Sequence, residues 1–366
     1  MRITMGAVGT GRASGRSIPT LALALVLGWG VCAAGPAAQR ARGAQESPRA
    51  TVDPRLPEYK PAAVLSGELT AVGADTMETL MKLWIQDFAH YEPGIHIENV
   101  SKVSGAAAPA LIAGTAELGP VAREMLPRET EDFEKRFGYP PVGIAVAGGS
   151  QRTKGKTHAI AIYVNKANPL SRLTLAQLDA ILSTTRNRGY RDLTRWGQLG
   201  LGGKWKNAPI HIYGVKQPNG IAHFMQMRVL EGGRWSDGIT SLTTVGSLNA
   251  LDAITLAIGK DPDGIGYAGF QDANPDVKTV ALAEKKGGPY YRGTFEEVLS
   301  HDYPLSRVIY IYVNRQPGRA LDPRIDAFLQ YILSRQGQDQ VVKEGIFLPL
   351  PYRILEQERA KLGGAK

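Results

Sequence analysis

The chain of 366 residues is 43% hydrophobic and 21% charged, has a formal net charge of +9 and contains one cysteine. The apolar fraction excludes a disordered polymer, and 42 glycines without a period exclude collagen. A single cysteine excludes an internal disulfide and a multi-thiolate zinc site. The charge of +9 suits a nucleic acid or a membrane surface, so the position of the basic residues decides what it means.

The first 38 residues have the pattern of a signal peptide, with cleavage expected at about residues 33–44. Arg2, Arg12 and Arg16 precede an uncharged apolar stretch at 18–34, and small residues follow it. A retained membrane anchor is the alternative, although the stretch is short for one. Residues 1–44 hold five of the 43 basic residues, the cysteine and no acidic residue, so 38 basic and 34 acidic residues remain. We therefore expect an exported, mildly basic protein in the periplasm or another extracytoplasmic space.

Segment 39–64 contains several prolines and is predicted to be a linker. From about Leu65 the chain alternates between strand-like and helix-like segments, the order typical of an α/β protein. Residues 65–157 are predicted to form the first part of one lobe. They comprise strands at 68–72, 95–103, 116–121 and 142–146 and helices at 77–88 and 106–113, the second ended by Gly114.

Residues 158–258 are predicted to form the second lobe, residues 259–352 to return to the first, and residues 353–366 to be a polar tail. Thr174 is a suitable N-terminal cap for a helix that continues to residue 182. The other expected elements are strands at 158–164, 210–213 and 308–313, a helix at 221–230 and one closing helix at 326–343.

The sequence contains no pattern that indicates an enzyme. Its six histidines lack a tight metal spacing, the mature chain has no nucleophile elbow, and the glycine turn at 200–204 lacks the spacing of a phosphate-binding loop. Basic residues do not interleave with aromatic ones, which argues against nucleic acid as a partner. We expect no catalytic residue, no metal and no cofactor.

Three predicted strand-to-helix turns share a run of small or polar residues, at 73–76, 103–106 and 217–220. Helix starts offer unpaired N–H groups and the positive end of the helix dipole, which favour an anion. In open α/β sheets such turns lie at the carboxyl ends of the strands, where ligands bind. Ordinary helix capping by Asp75, Ser104 or Asn219 is the alternative explanation. Arg123, just after a strand, adds a cation to the set.

Long blocks of this sequence resemble the phosphate-binding proteins of ABC-type phosphate importers, which are type II periplasmic binding proteins. The resemblance extends from about residue 68 to residue 351. It includes GADTMETLMKLW (73–84), SGAAAPALIAGTAELGPVAREM (104–125), NPLSRLTLAQLDAIL (168–182), PDGIGYAGF (262–270) and YPLSRVIYIYVN (303–314). It implies an α/β fold of two lobes joined by crossing hinge strands. It also implies capture of inorganic phosphate or a related oxyanion, delivery to ABC permease subunits, and a monomer.

The ligand turns depart from the family pattern. The family's Ser-Arg or Ser-Asp pair is Ala122-Arg123 here, and its Arg-x-x-x-Ser-Gly-Thr turn has become Val215 to Ile221, without the arginine and both hydroxyls. Asp75 at the first turn is a candidate acceptor for the proton of monohydrogen phosphate. The resemblance assigns ligand contacts to Asp75, Thr76, Ser104, Gly105, Arg123, Asn219 and Gly220. A paralogue with a degenerate cleft, acting as a sensory or interaction protein, is the alternative function, and a hydrolase on the same scaffold is a third.

Overall fold

A computed structural model describes residues 50–61 and 63–363 of the chain. The predicted signal peptide lies outside the described residues. Within them, every helix is too short or too polar to cross a lipid bilayer. The described residues form one compact unit, in which four sheets are grouped around two large hydrophobic cores.

Lobe I is built on two groups of strands. Strands β1 (Gly67–Ala74) and β2 (Ile95–Lys102) are parallel, and β12 (Val308–Val313) lies between β3 (Gly119–Val121) and β4 (Val142–Gly148), antiparallel to both. A bridge between Ala71 and Leu118 links the two groups. The helices of this lobe are α1 (Glu78–Phe88), α2 (Ala107–Ala113), α3 (Pro127–Phe137), α8 (Pro323–Ile332), α9 (Arg335–Glu344) and α10 (Tyr352–Leu362).

Lobe II is built on one five-stranded sheet. Its strand order is β10 (Val277–Thr279), β5 (Ile160–Asn165), β9 (Gly264–Gly269), β7 (His211–Val215) and β8 (Ile239–Leu242). A small parallel pair joins β6 (Arg172–Thr174) to β11 (Ala281–Ala283). The helices are α4 (Leu175–Leu182), α5 (Gly220–Arg228), α6 (Ala250–Lys260) and α7 (Phe295–Leu299).

The chain crosses between the two cores twice, which confirms the two-lobed α/β fold. The first crossing leads from β4 to β5. The second lies between Leu305, in the core of lobe II, and Ile309, in the core of lobe I. Strands β5 and β4 are buried along most of their length, as expected for apolar strands covered on both faces.

The predicted return to lobe I at residue 259 is wrong. Strands β9 and β10 both pair with β5, and β11 pairs with β6, so residues 264–283 belong to lobe II. The crossing comes some forty residues later because these short strands complete the second sheet first. Their length of three to six residues made them hard to recognise from periodicity.

Three further expectations require correction at the element ends. The C-terminal part of the predicted linker, from residue 50, is docked on lobe I: Leu56 is buried, the Tyr59 hydroxyl donates to Glu92, and the Arg335 amide donates to the Pro57 carbonyl. The predicted tail is helix α10, which buries Leu355 and Leu362. The single closing helix is divided into α8 and α9. Its division comes at Ser334, whose hydroxyl accepts a hydrogen bond from an amide of α9 and so starts a new helix.

The other predicted strands and helices are present within one to three residues of their expected ends. Thr174 caps α4 by accepting from the Gln177 amide, and Gly114 ends α2 in the left-handed conformation. Helices α3 and α6 were not predicted. Helix α3 has one buried side chain, Phe133, so it lacks the apolar stripe on which such a prediction depends.

Candidate functional site

A cleft of about 370 Å³ lies beyond the carboxyl ends of β1, β2, β3 and β7. All three predicted turns contribute to it, as does the residue after β3, so residues far apart in sequence meet in one place. This is the edge of an open α/β sheet at which ligands bind. The lining residues are Asp75, Thr76, Val103, Ser104, Ala122, Arg123, Gly155, Lys156, Thr157, His158, Asn219, Gly220, Ile221 and Arg307.

The first turn leaves its helix start uncapped. Strand β1 approaches the Pro120 carbonyl so closely that a side chain at Gly73 would overlap it, which requires glycine there. A 3-10 turn at Asp75–Met77 then leads into α1, and no side chain caps either start. The capping box expected for Asp75 is therefore not formed. Asp75 is exposed, whereas the Thr76 hydroxyl is buried and has no hydrogen-bond partner among the described residues.

The second turn is held by contacts distant in sequence. The Ser104 hydroxyl accepts from the Ala122 amide at 3.2 Å instead of capping its own helix, and the Thr157 hydroxyl donates to the Ala122 carbonyl. Pro109 lies in the first turn of α2, where its missing N–H would have no helical partner in any case. Gly105 lies outside the cleft lining. It faces the carboxylate of Glu129, 3.4 Å from where a β-carbon would stand.

The third turn is capped. The Asn219 side-chain oxygen accepts from the amides of Ile221 and Ala222 at 2.8 and 3.4 Å, so this oxygen stabilises the start of α5. The capping explanation is thus correct for Asn219 and wrong for Asp75 and Ser104. A β-carbon at Gly220 would lie 2.7 Å from Cδ of Arg123, so this glycine allows the lobe I arginine to lie against α5.

Arg123 lines the cleft, but its guanidinium already donates hydrogen bonds to acceptors within the protein. Nη1 and Nη2 each donate to one carboxylate oxygen of Glu129 at 2.7 Å, and Nη1 also donates to the Glu124 carbonyl at 2.9 Å. A bidentate pair of this kind neutralises the charge and holds the side chain in one orientation. Arg123 was predicted from the sequence, whereas its partner six residues later was not.

Three charged or titratable residues of the lining were not identified from the sequence. Lys156 donates through Nζ to the Thr76 carbonyl at 2.6 Å, and Arg307 is buried just before β12. His158 is also buried. Its Nδ1 lies 2.7 Å from the Lys156 carbonyl and its Nε2 lies 3.1 Å from the Gln271 side-chain nitrogen. Burial lowers the pKa of His158 to about 4, so the ring is neutral at physiological pH. A charge placed directly before an apolar strand, as at Arg307, was the one available signal.

A group of three potential metal ligands lies in lobe II at the amino end of β7, whereas the cleft lies beyond the carboxyl end of that strand. His211 Nδ1 is 2.8 Å from Asp261 Oδ2, which also accepts from the Tyr213 hydroxyl, and Asp263 completes the group. His211 begins β7, whereas the third turn follows the end of that strand. The contacts within the group satisfy Asp261, and the group has no connection with the cleft.

A family model described as a PBP superfamily domain matches residues 44–336, which is most of the chain. The chain belongs to the PBP superfamily. Among the members of this superfamily, the phosphate-binding protein PstS of Pseudomonas aeruginosa is 37% identical over 315 residues, covering 86% of this chain and 93% of that protein. The resemblance to the phosphate-binding proteins of ABC importers is thereby confirmed.

More distant PBP superfamily members also match over most of their length. Protein SphX of Synechococcus elongatus is 23% identical over 317 residues, covering 85% of this chain and 86% of that protein. The crystal structure of PstS from Borrelia burgdorferi is 16% identical, with a TM-score of 0.48, covering 78% of this chain and 100% of that one.

Proposed function

We propose that this protein is an exported solute-binding protein that captures phosphate and delivers it to the permease subunits of an ABC importer. It acts outside the cytoplasmic membrane as a monomer, and it binds its ligand without transforming it. The observation that carries the proposal is the convergence of three strand-to-helix turns on one cleft, in a chain 37% identical to PstS.

The chemistry of the cleft suits an oxyanion. The uncapped start of α1 offers amide groups and the positive end of an eleven-residue helix dipole. The Thr76 hydroxyl is buried without a hydrogen-bond partner in the described part of the chain, and it can donate a hydrogen bond to an anion oxygen. Charge-assisted hydrogen bonds of this kind replace the water that the anion loses on entering.

The residues predicted from the sequence have unequal roles in this proposal. Thr76 contacts the anion directly, and Asn219 and Gly220 present the start of α5 to it. Ser104 and Arg123 maintain the wall of the cleft through the Ala122 amide and Glu129, and Gly105 lies behind that wall. Asp75, exposed at the rim, accepts a hydrogen bond from the protonated oxygen of monohydrogen phosphate. It thereby disfavours sulfate, which has no such proton.

Calorimetric titration of the protein lacking residues 1–44 with phosphate, sulfate and molybdate tests the proposal. We expect saturable binding of phosphate at micromolar concentrations or below, and weaker binding of sulfate. The Asp75→Ala variant should narrow the difference between phosphate and sulfate. Absence of phosphate binding in this range would contradict the transport function and favour a paralogue with a degenerate cleft. An unchanged selectivity in Asp75→Ala would contradict only the role of that carboxylate.

A further inference from the structure

Arg307 is a buried cation whose hydrogen-bonding capacity is almost unused. It lies at the second crossing between the lobes, directly before β12, and its side chain is 4% exposed. Its nearest carboxylate oxygen, on Glu124, is 3.5 Å from Nη2, and its guanidinium carbon lies 5.0 Å from the centre of the Phe224 ring. Among the described residues, Nε has no hydrogen-bond acceptor.

This arrangement is costly unless an anion completes it. A guanidinium keeps its charge at any pH that the protein tolerates, and it carries five N–H donors in a planar fork. Removing such a group from water is unfavourable unless partners replace the lost hydrogen bonds. One carboxylate contact at 3.5 Å and one aromatic face do not supply five acceptors. A further acceptor would therefore stabilise the Arg307 guanidinium. Because Arg307 lines the cleft, a ligand bound there can provide it.

Each of the other two cations of the cleft lining already donates a hydrogen bond to an acceptor within the protein. Arg123 donates to both oxygens of Glu129, and Lys156 donates to the Thr76 carbonyl. The two buried groups of the lining that lack a hydrogen-bond partner within the described part of the chain and could donate to an anion are Thr76 Oγ1 and Arg307 Nε. One comes from lobe I and the other from the crossing segment, and both residues line the same cleft.

We propose that Arg307 is the principal anion-binding cation of this cleft and that it replaces the arginine missing at Val215. The inference rests on the proposed function, because it concerns the same site. The planar guanidinium of Arg307 binds two oxygens of a tetrahedral oxyanion, a geometry that a lysine cannot reproduce. Since Arg307 contacts Glu124 of lobe I and Phe224 of lobe II, the bound anion is linked to the crossing segment as well as to both lobes.

The test compares Arg307→Gln and Arg307→Lys with Arg319→Gln, which removes the same charge from an exposed turn after β12. The protein lacking residues 1–44 and each variant are titrated calorimetrically with phosphate, sulfate and molybdate, and each thermal melting curve is recorded without ligand. We expect Arg307→Gln to weaken anion binding roughly 100-fold, the effect of losing two charge-assisted hydrogen bonds. Arg307→Lys keeps the charge without the fork, and should weaken binding roughly tenfold; Arg319→Gln should leave it unchanged.

The outcomes separate this inference from the proposed function. Phosphate binding that survives in a folded Arg307→Gln protein overturns the role of Arg307 and leaves phosphate capture standing. Binding of another oxyanion but not phosphate, lost in Arg307→Gln, overturns phosphate capture and supports Arg307. A parent protein that binds none of the three anions overturns both. If Arg307→Gln fails to fold, Arg307→Lys decides: affinity equal to that of the parent protein overturns the inference.

Discussion

At the scale of single residues, the cleft wall depends on a histidine that stays neutral. His158 donates from Nδ1 to the Lys156 carbonyl and accepts at Nε2 from Gln271, which also donates to Asp272. The pKa of His158 is lowered to about 4, mainly by burial and in smaller part by the positive charge of Arg307, while the hydrogen bond to the Lys156 carbonyl opposes the decrease. A neutral ring adds no charge to the cleft, and it fixes the loop that carries Lys156.

This depressed pKa predicts a loss of stability in mild acid. Between the unfolded value of 6.5 and the folded value of about 4, the unfolded chain binds a proton that folded His158 does not. Stability is therefore complete above pH 6.5 and falls as the pH decreases, by at most about 1.4 kcal/mol per pH unit for this group. His158→Asn keeps a donor toward Lys156 and should flatten the decline, as measured by urea unfolding from pH 7 to pH 4.

The comparison with the parent protein isolates this one group. Burial also lowers the pKa of His301 to about 4 and raises that of Asp272 to about 6, and both contributions are present in parent and variant alike. His96→Asn, at an exposed position of β2, controls for the loss of a histidine. If the free energy of unfolding falls equally with decreasing pH in the parent protein and in His158→Asn, His158 is not the cause of the acid destabilisation.

At the scale of elements, the helix starts differ in what occupies their amide groups. Asn219 caps α5 and Asn249 caps α6 with the same hydrogen-bond pattern, each accepting from the amides of the second and third residues after it. The start of α1 has no side-chain cap. At the first turn, no side chain of the described residues therefore competes with a ligand for the amides, whereas the third turn is stabilised before any ligand arrives.

Asn219 borders the cleft and Asn249 does not, so variants of the two caps distinguish an effect on stability from an effect on ligand binding. Replacing either asparagine by alanine should lower the free energy of unfolding by about 1 kcal/mol, because one cap is lost. Asn219→Ala should also change phosphate affinity, since it alters a helix start in the cleft, whereas Asn249→Ala should not. Chemical unfolding and calorimetric titration of both variants measure the two effects. Equal affinities in the two variants would limit Asn219 to capping.

The element ends were less predictable than the elements. The strands that were predicted and the α1, α4 and α5 helices follow from apolar periodicity and capping residues, which are local properties of the chain. The docking of residues 52–60 depends on contacts with a helix almost 280 residues away, where the Arg335 amide donates to the Pro57 carbonyl, and on the burial of Leu56 in the core of lobe I. No local pattern distinguishes a docked proline-rich segment from a free linker.

At the scale of the whole molecule, the cleft is formed by both lobes and by the crossings between them. Gly220 of lobe II lies against Arg123 of lobe I, and Arg307 of the second crossing lies near Glu124 and Phe224. A ligand held in this place would contact both lobes and the crossing segment. Binding should therefore stabilise the two lobes as one unit.

This predicts a ligand-dependent increase in thermal stability. Phosphate at 100 times its dissociation constant should stabilise the folded protein by about 2.7 kcal/mol, because it binds the folded chain only. For a chain of this size the melting temperature should rise by about 5 °C. Scanning calorimetry with and without phosphate measures the change, with sulfate at the same concentration as the control for ionic strength. An equal rise with sulfate would indicate a general salt effect.

The sequence by itself determined the α/β order, the three strand-to-helix turns and the family, because apolar periodicity, helix caps and long matching blocks are written along the chain. Only the tertiary structure decided which of these groups remain available to a ligand. Arg123 is neutralised by Glu129, Asn219 is used as a cap, and Arg307 and Thr76 have donors without an acceptor among residues 50–61 and 63–363. The physical reason is that a polar group's availability depends on what lies within about 3 Å of it. In this cleft such neighbours lie far apart in sequence, with a separation of 113 residues between His158 and Gln271.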